Sequence, residues 1–284
     1  MRWEAGDRGN IEDMRGRSGG GRMVPIGIGG FILLLLLSAV TGKNFFALLG
    51  SGDVATDRGV GTTGTVNSSP AEERLVDFVD AVANDVQDTW SRLLGGRYQR
   101  TRVVLFRDAI ESACGFAQSA TGPFFCPGDS RVYLDLGFFN ELSQRFGAPG
   151  DFAEAYVIAH EFGHHVQHLT GIDARAAYGE RRGSDSASVA LELQADCFAG
   201  VWGHEAGANG QLTAGHVVLE PGDAEEALRA AAAIGDDRLQ KMSTGRVMPD
   251  QFTHGSSAQR VEWFRRGMDS GDPAACNTFA RTTH

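Results

Sequence analysis

An uncharged stretch near the amino terminus constrains this chain more than any other feature of the sequence. No Asp, Glu, Lys or Arg occurs from Met23 to Gly42, and these 20 residues surround an unbroken run of five leucines. As a helix they would extend roughly 30 Å, enough to cross the hydrocarbon core of a bilayer. We therefore predict one transmembrane helix over residues 23–42, with the lipid bilayer as a partner. The alternative is a cleaved signal peptide, against which the long polar segment of residues 1–22 argues.

Basic residues beside this stretch predict its orientation. Arg15, Arg17 and Arg22 precede it, whereas Lys43 is the first basic residue after it. Cytoplasmic flanks of membrane helices are enriched in Lys and Arg, so residues 1–22 should be a cytoplasmic tail and the rest of the chain extracytoplasmic. The expected localisation is the cell membrane, crossed once. The formal net charge of −10 argues against a nucleic-acid partner, because an acidic protein repels the phosphates.

Composition divides the remainder into a linker and one domain. Residues 43–72 should be a flexible linker, since residues 51–72 are rich in Gly, Ser and Thr without apolar periodicity. Residues 73–284 should form one globular domain, since 42% of the whole chain is hydrophobic and only 22% is charged.

Apolar periodicity within this domain predicts a mostly helical α+β fold with a small sheet. The expected helices are residues 72–94, 138–146, 152–169, 184–202, 223–234 and 256–268, and the expected strands are residues 102–106 and 131–136. Gly171 should end the third helix, and Ser184 or Asp185 should cap the fourth. The second strand alternates polar and apolar residues, as an edge or half-buried strand would.

A five-residue motif on the third predicted helix points to metal chemistry. His160-Glu161-Phe162-Gly163-His164 has the pattern H-E-x-x-H. Residues four apart on a helix share one face, so His160 and His164 can bind the same Zn²⁺. Glu161 follows the first ligand and points beside the metal, where it can accept a proton from an activated water molecule.

A third ligand is needed, and the next predicted helix offers it. His168 is excluded, because it would lie about 12 Å along the helix axis from His160. Glu192, 28 residues after His164, completes a His₂Glu set that leaves one position open. Asp196 lies one turn further on the same face and can accept the outer N–H of a ligating histidine.

Several segments resemble the bacterial putative neutral zinc metallopeptidase family. They are residues 156–167 around the motif, 191–200 around Glu192 and Asp196, 234–240, 122–127 and 252–257. The resemblance extends over nearly all of residues 75–279, and a basic tail, one anchor and a linker are also typical of the family. It implies a zincin-like fold of the Glu-ligand type, Zn²⁺ as cofactor and a peptide or protein as substrate.

An enzyme of this kind needs a donor for the oxyanion of its tetrahedral intermediate. His254, in the turn before the last predicted helix, is the first candidate, with Tyr178 and Arg260 as competitors. The alternative role for His254 is to cap the helix that starts near Ser256.

Four cysteines suit a domain in an oxidising compartment. Cys114 and Cys126 bracket a short loop, and a bridge from Cys197 to Cys276 would pin the carboxyl-terminal tail to the Glu192 helix. Three pairings are possible, and the sequence does not choose among them. A structural Cys₄ zinc site is the alternative, but no C-x-x-C spacing supports it.

These features predict a membrane-anchored zinc endopeptidase in which Glu161 is the general base. The alternative is a non-catalytic zinc-binding module or assembly factor on the cell surface. Glu161 argues against that alternative, because a module that only binds zinc has no need of a carboxylate at this position.

Overall fold

The computed structural model describes residues 1–16, 66–119, 122–177, 179, 182–208 and 211–279. The transmembrane helix expected at residues 23–42 and most of the linker lie outside them. None of the helices formed by the described residues is long and apolar enough to span a membrane. Met1–Arg15 and Asn67–His284 form one compact unit, and the structure below is that unit.

Among the described residues the strands are short and form one four-stranded sheet and two smaller ones. They are β1 (Arg2–Trp3), β2 (Ile11–Asp13), β3 (Val103–Phe106), β4 (Ala109–Ser112), β5 (Gly115–Gln118), β6 (Phe124–Cys126), β7 (Arg131–Asp135) and β8 (Val217–Val218). The main sheet has the order β2-β3-β7-β6, in which β2, β3 and β7 are parallel and β6 is antiparallel to β7. β1 pairs with β8, and β4 pairs with β5, both antiparallel.

Helices make up most of the rest. They are α1 (Pro70–Leu94), α2 (Gly137–Gln144), α3 (Asp151–Thr170), α4 (Ile172–Ala176), α5 (Ala187–Ala208), α6 (Asp223–Ala233), α7 (Asp236–Thr244) and α8 (Ser257–Ser270). The expected α+β class, mostly helical with small sheets, is therefore confirmed.

Local signals explain where the central helices begin and end. Gly171 ends α3 in the left-handed conformation, with φ of 69°, as its sequence position predicted. The predicted cap of α5 is wrong. Ser186, and not Ser184 or Asp185, accepts the Val189 N–H at the start of that helix.

Close packing of α3, α5 and α8 forms the centre of the unit. A Cβ on Gly163 of α3 would lie 3.0 Å from the Ala195 Cα of α5, and one on Gly267 of α8 would lie 1.9 Å from the Cys197 oxygen. Only glycine permits such approaches. The three helices can therefore bring polar side chains from different parts of the chain into contact.

The strand at residues 131–136 differs from its predicted place. β7 is an interior strand, and Tyr133 is buried, where its hydroxyl bonds to Asp129 at 2.6 Å. The edge strand next to β7 is β6, which the sequence did not reveal because its three residues, Phe124–Cys126, are too few to show a period.

The amino-terminal segment also differs from its predicted place. Residues 1–22 were expected to be a tail separate from a domain that starts at residue 73, but β1 and β2 belong to the same compact unit as the rest. Arg15, one of the three basic residues that suggested a membrane flank, pairs with Glu73 of α1 at 2.9 Å.

Candidate metal centre

Three predicted ligands converge where α3 and α5 pack together. One donor atom from each of His160, His164 and Glu192 lies within 4.8 Å of the other two. The Nε2 atom of His160 is 3.2 Å from Glu192 Oε2, and that of His164 is 3.5 Å from Glu192 Oε1. The predicted spacing thus brings the three side chains to one point.

The other ring nitrogen of each histidine is already engaged. His160 Nδ1 lies 2.8 Å from Asp196 Oδ1, and His164 Nδ1 lies 2.8 Å from Gln167 Oε1. Both partners accept, so each imidazole keeps a proton on Nδ1 and points Nε2 toward Glu192, and loss of the Nε2 proton leaves the Nδ1–H tautomer. This is the tautomer that a ligand bound through Nε2 requires.

The Asp196 carboxylate accepts hydrogen bonds from three other buried side chains. Besides His160, it accepts from the Tyr156 hydroxyl at 2.5 Å and from Arg260 Nε and Nη2, both at 2.8 Å. Burial alone would raise the pKa of Asp196, but the Arg260 guanidinium and His160 outweigh it and hold the pKa below its usual range. Asp196 is therefore ionised, and Arg260 keeps it in place.

The three donors stabilise one another's charged forms. Burial opposes charge at each of them, yet His164 and its neighbours hold the pKa of Glu192 well below its usual range. Conversely, Glu192 outweighs burial at His164 and raises its pKa to about 9. A partly buried carboxylate that faces two imidazole nitrogens is a His₂Glu donor set, and this set fits Zn²⁺.

Glu161 lies beside these donors, at the wall of a cleft. It is only 7% exposed, yet its carboxylate makes no hydrogen bond to any described residue. The cleft has a volume of about 570 Å³ and reaches all three donors. Its apolar wall includes Pro123, Phe124, Phe125, Phe138, Phe146 and Leu239.

His254 faces the same cleft from the loop before α8. Its ring is 52% exposed, and its Nδ1 atom is 3.2 Å from Asp236 Oδ1. The other Asp236 oxygen accepts the backbone N–H groups of Thr253, His254 and Gly255 at 2.7, 2.7 and 3.1 Å. Asp236 thus shapes the loop and orients the ring, a role that no sequence motif indicated.

The other candidates for an oxyanion donor are less well placed. Tyr178 lies outside the described residues, and Arg260 is buried with its donors directed to Asp196, Tyr156 and the Ile234 carbonyl. The alternative role of His254 as a helix cap is wrong, because Ser256 caps α8 in a capping box with Gln259.

Two further histidines of α3 stay outside the metal centre. His165 is buried, with Nε2 bonded to the Gln99 carbonyl at 2.6 Å, and His168 pairs with Asp173 at 2.8 Å. Neither belongs to the group of possible ligands.

The four cysteines form two disulfides. Cys114 pairs with Cys126 and Cys197 with Cys276, with Cα–Cα distances of 5.8 and 5.6 Å. The alternative of a Cys₄ zinc site is wrong, since no thiol remains free. The second bridge starts at the residue after Asp196 and so braces the helix that carries Glu192.

Comparison with known proteins identifies the family of the chain. A family model described as "Putative neutral zinc metallopeptidase" matches residues 1–279. The chain belongs to this family.

Relatives of the chain occur in Escherichia coli and in Mycobacterium. "Uncharacterized protein YpfJ" of Escherichia coli K12 is 44% identical over 298 aligned positions, which cover 99% of this chain and 100% of that protein. "Uncharacterized protein Mb2605" of Mycobacterium bovis is 48% identical over 206 residues, 71% of this chain and 70% of its own length. Neither name states an activity, and no solved structure matches the chain.

Proposed function

We propose that this protein is a zinc-dependent endopeptidase with a zincin-like catalytic domain. The observation that carries the proposal is the convergence of His160, His164 and Glu192 beside Glu161, which lies at a cleft wall without a hydrogen-bond partner among the described residues. A site that served only to hold a metal would not need an unengaged carboxylate next to it.

The proposed reaction assigns a role to each group around the cleft. Bound Zn²⁺ would polarise the substrate carbonyl and lower the pKa of water. Glu161 accepts a proton from the attacking water and passes it to the leaving amine. His254, oriented by Asp236, donates a hydrogen bond to the oxygen on which negative charge develops.

The proposed substrate is an extended peptide. β6 is an edge strand of the main sheet, and an edge can bind an extended chain by backbone hydrogen bonds. Two of its residues, Phe124 and Phe125, also line the cleft that reaches the metal ligands. A peptide on this edge could therefore present its backbone to Glu161.

The test compares metal content with hydrolysis of casein and of a random peptide library. Glu161→Gln should retain zinc and lose at least about 10²-fold in kcat, the size of a general-base contribution. Glu192→Ala should lose both zinc and activity. Glu262→Gln, an exposed change on α8, is the matched control and should behave as wild type.

Two outcomes would contradict the proposal. One is hydrolysis by Glu161→Gln at the wild-type rate. The other is a zinc-loaded wild type that cleaves neither substrate, which would favour the non-catalytic zinc-binding module.

A further inference from the structure

The amino-terminal segment is an integral part of the folded unit. β2 pairs with β3 in parallel register, from Ile11 beside Val103 to Asp13 beside Leu105. β1 pairs with β8, more than 200 residues away in the chain. The segment therefore supplies the strand at the edge of the main sheet opposite β6.

Ion pairs hold the amino-terminal segment against the start of α1. The Arg15 side chain is only 1% exposed, and its guanidinium pairs with Asp13 at 2.6 Å, Glu73 at 2.9 Å and Glu72 at 3.0 Å. Arg8 bonds to Asp77 and Glu73, each at 2.6 Å. A buried guanidinium is costly without such partners, so Arg15 belongs against the start of α1 and not in solvent.

The two ends of the intervening residues meet at one atom. Glu73 Oε1 accepts from Arg15 Nη2 at 2.9 Å and from the Ser68 hydroxyl at 2.6 Å. The chain therefore leaves the described unit after Arg15 and re-enters it before Ser68 at the same place.

This convergence is incompatible with a single membrane crossing between Arg15 and Ser68. One transmembrane helix would place its two flanks on opposite sides of roughly 30 Å of hydrocarbon. We infer that residues 1–15 and 66–279 lie in one compartment, on the same side of any membrane. The two disulfides indicate that this compartment is oxidising.

The inference replaces the orientation expected from the basic residues. Arg15, counted as a membrane flank, is an internal ion-pair partner, which removes one of the three charges behind that expectation. The inference concerns chain topology alone and does not depend on the proposed peptidase activity.

Thiol labelling of the full chain in intact spheroplasts tests it. All four native cysteines are in disulfides, so a single introduced cysteine is the only free thiol. Ala5→Cys reports on the amino-terminal segment and Lys241→Cys on α7, and both positions are exposed. Each receives a membrane-impermeant maleimide before and after lysis.

We expect both cysteines to react in intact spheroplasts, to the same fraction of their labelling after lysis. If neither cysteine reacted until lysis, the two segments would still share one compartment. That compartment would then be the cytoplasm, contrary to the disulfide argument. Reaction of Lys241→Cys alone, or of Ala5→Cys alone, would overturn the inference.

A charge-reversal cycle tests the contact itself on the purified full chain. Arg8→Glu should speed proteolysis about two- to tenfold, and adding Asp77→Arg should recover part of the loss, because the two side chains touch. Arg265→Glu, an exposed change on α8, is the control. No effect of Arg8→Glu, or no recovery in the double variant, would mean that the segment is not docked.

Discussion

Arg260 donates one hydrogen bond to each carboxylate oxygen of Asp196, both at 2.8 Å. The same carboxylate accepts from His160 Nδ1 at 2.8 Å, so α8 orients a proposed zinc ligand on α3 through a residue of α5. All three side chains are buried, and each charge is compensated by its neighbour. The contacts from Arg260 through Asp196 to His160 determine which variants should lose zinc.

Zinc retention should fall in a defined order. Glu192→Ala removes a proposed ligand and should be the most damaging. Asp196→Asn keeps an acceptor but loses the charge, which should weaken zinc binding or activity about 10–100-fold. Glu161→Gln should have the smallest effect. Metal content after dialysis measures the ranking.

Arg260→Lys serves as a companion to Asp196→Asn. The lysine preserves the positive charge but loses the paired hydrogen bonds of the guanidinium to the two Asp196 oxygens. It should therefore weaken zinc binding less than Asp196→Asn does. If Asp196→Asn held zinc like wild type with full activity, Asp196 would have no role at the metal.

His254 should contribute to turnover and not to metal binding. His254→Ala should lower kcat about 10²–10³-fold, the usual effect of removing one oxyanion donor, with unchanged zinc content. Asp236→Asn should lower kcat less, because the ring would remain but lose its orientation. Peptide hydrolysis at matched zinc occupancy is the measurement.

A surface histidine gives the matched control for that experiment. His216 pairs with Asp88 and does not line the cleft, so His216→Ala should keep wild-type kcat. Full activity of His254→Ala would assign the oxyanion donor to another residue.

The two disulfides should differ in their contribution to stability. Cys197–Cys276 has a sequence separation of 79 residues and Cys114–Cys126 of 12. Loop-closure entropy predicts about 4.5 kcal/mol for the longer loop and about 3 kcal/mol for the shorter one. Paired Cys→Ser variants in urea unfolding measure the difference. An equal or reversed cost would mean that native-state contacts, and not loop length, dominate.

Glu154 on α3 should make stability depend on pH. Burial, and then the Asp151 and Glu226 carboxylates, raises the pKa of Glu154 to about 7 from an ordinary value of 4.5. Between these values the folded protein holds a proton that the unfolded chain releases. The free energy of unfolding should therefore be highest below about pH 4.5 and should fall as the pH rises through about 7. The total decrease should be about 3 kcal/mol.

Glu154→Gln removes this titration. The variant should be more stable than wild type at pH 8 and equal to it at pH 4, as measured by urea unfolding. Glu225→Gln, an exposed change on α6, is the control and should follow the wild-type curve. If Glu154→Gln also followed that curve, the carboxylate would titrate normally.

The candidate metal ligands could be predicted because their arrangement is local. His160 and His164, like Glu192 and Asp196, are four residues apart, and a helix brings such pairs to one face whatever surrounds it. The same holds for most helices, whose apolar period and caps lie within each segment. Hence the sequence indicated α3 and α8 to within two residues at each end, and α5 to within six.

Short and paired elements could not be predicted in this way. β6 has three residues, and α7 is a polar helix of nine residues with little apolar period. β1 and β2 exist because of partners far along the chain, and their own residues suggested a charged tail.

By itself the sequence determined the candidate donor set, the proposed general base and the helices that carry them. Only the tertiary structure decided that Arg260 orients Asp196 across 64 residues, that Asp236 holds His254, and that Arg15 is buried beside Glu73. Helical period is a short-range property of the chain, whereas 26 basic and 36 acidic residues allow many ion pairs. Which of them form depends on how closely the helices and strands pack, and that is a property of the whole fold.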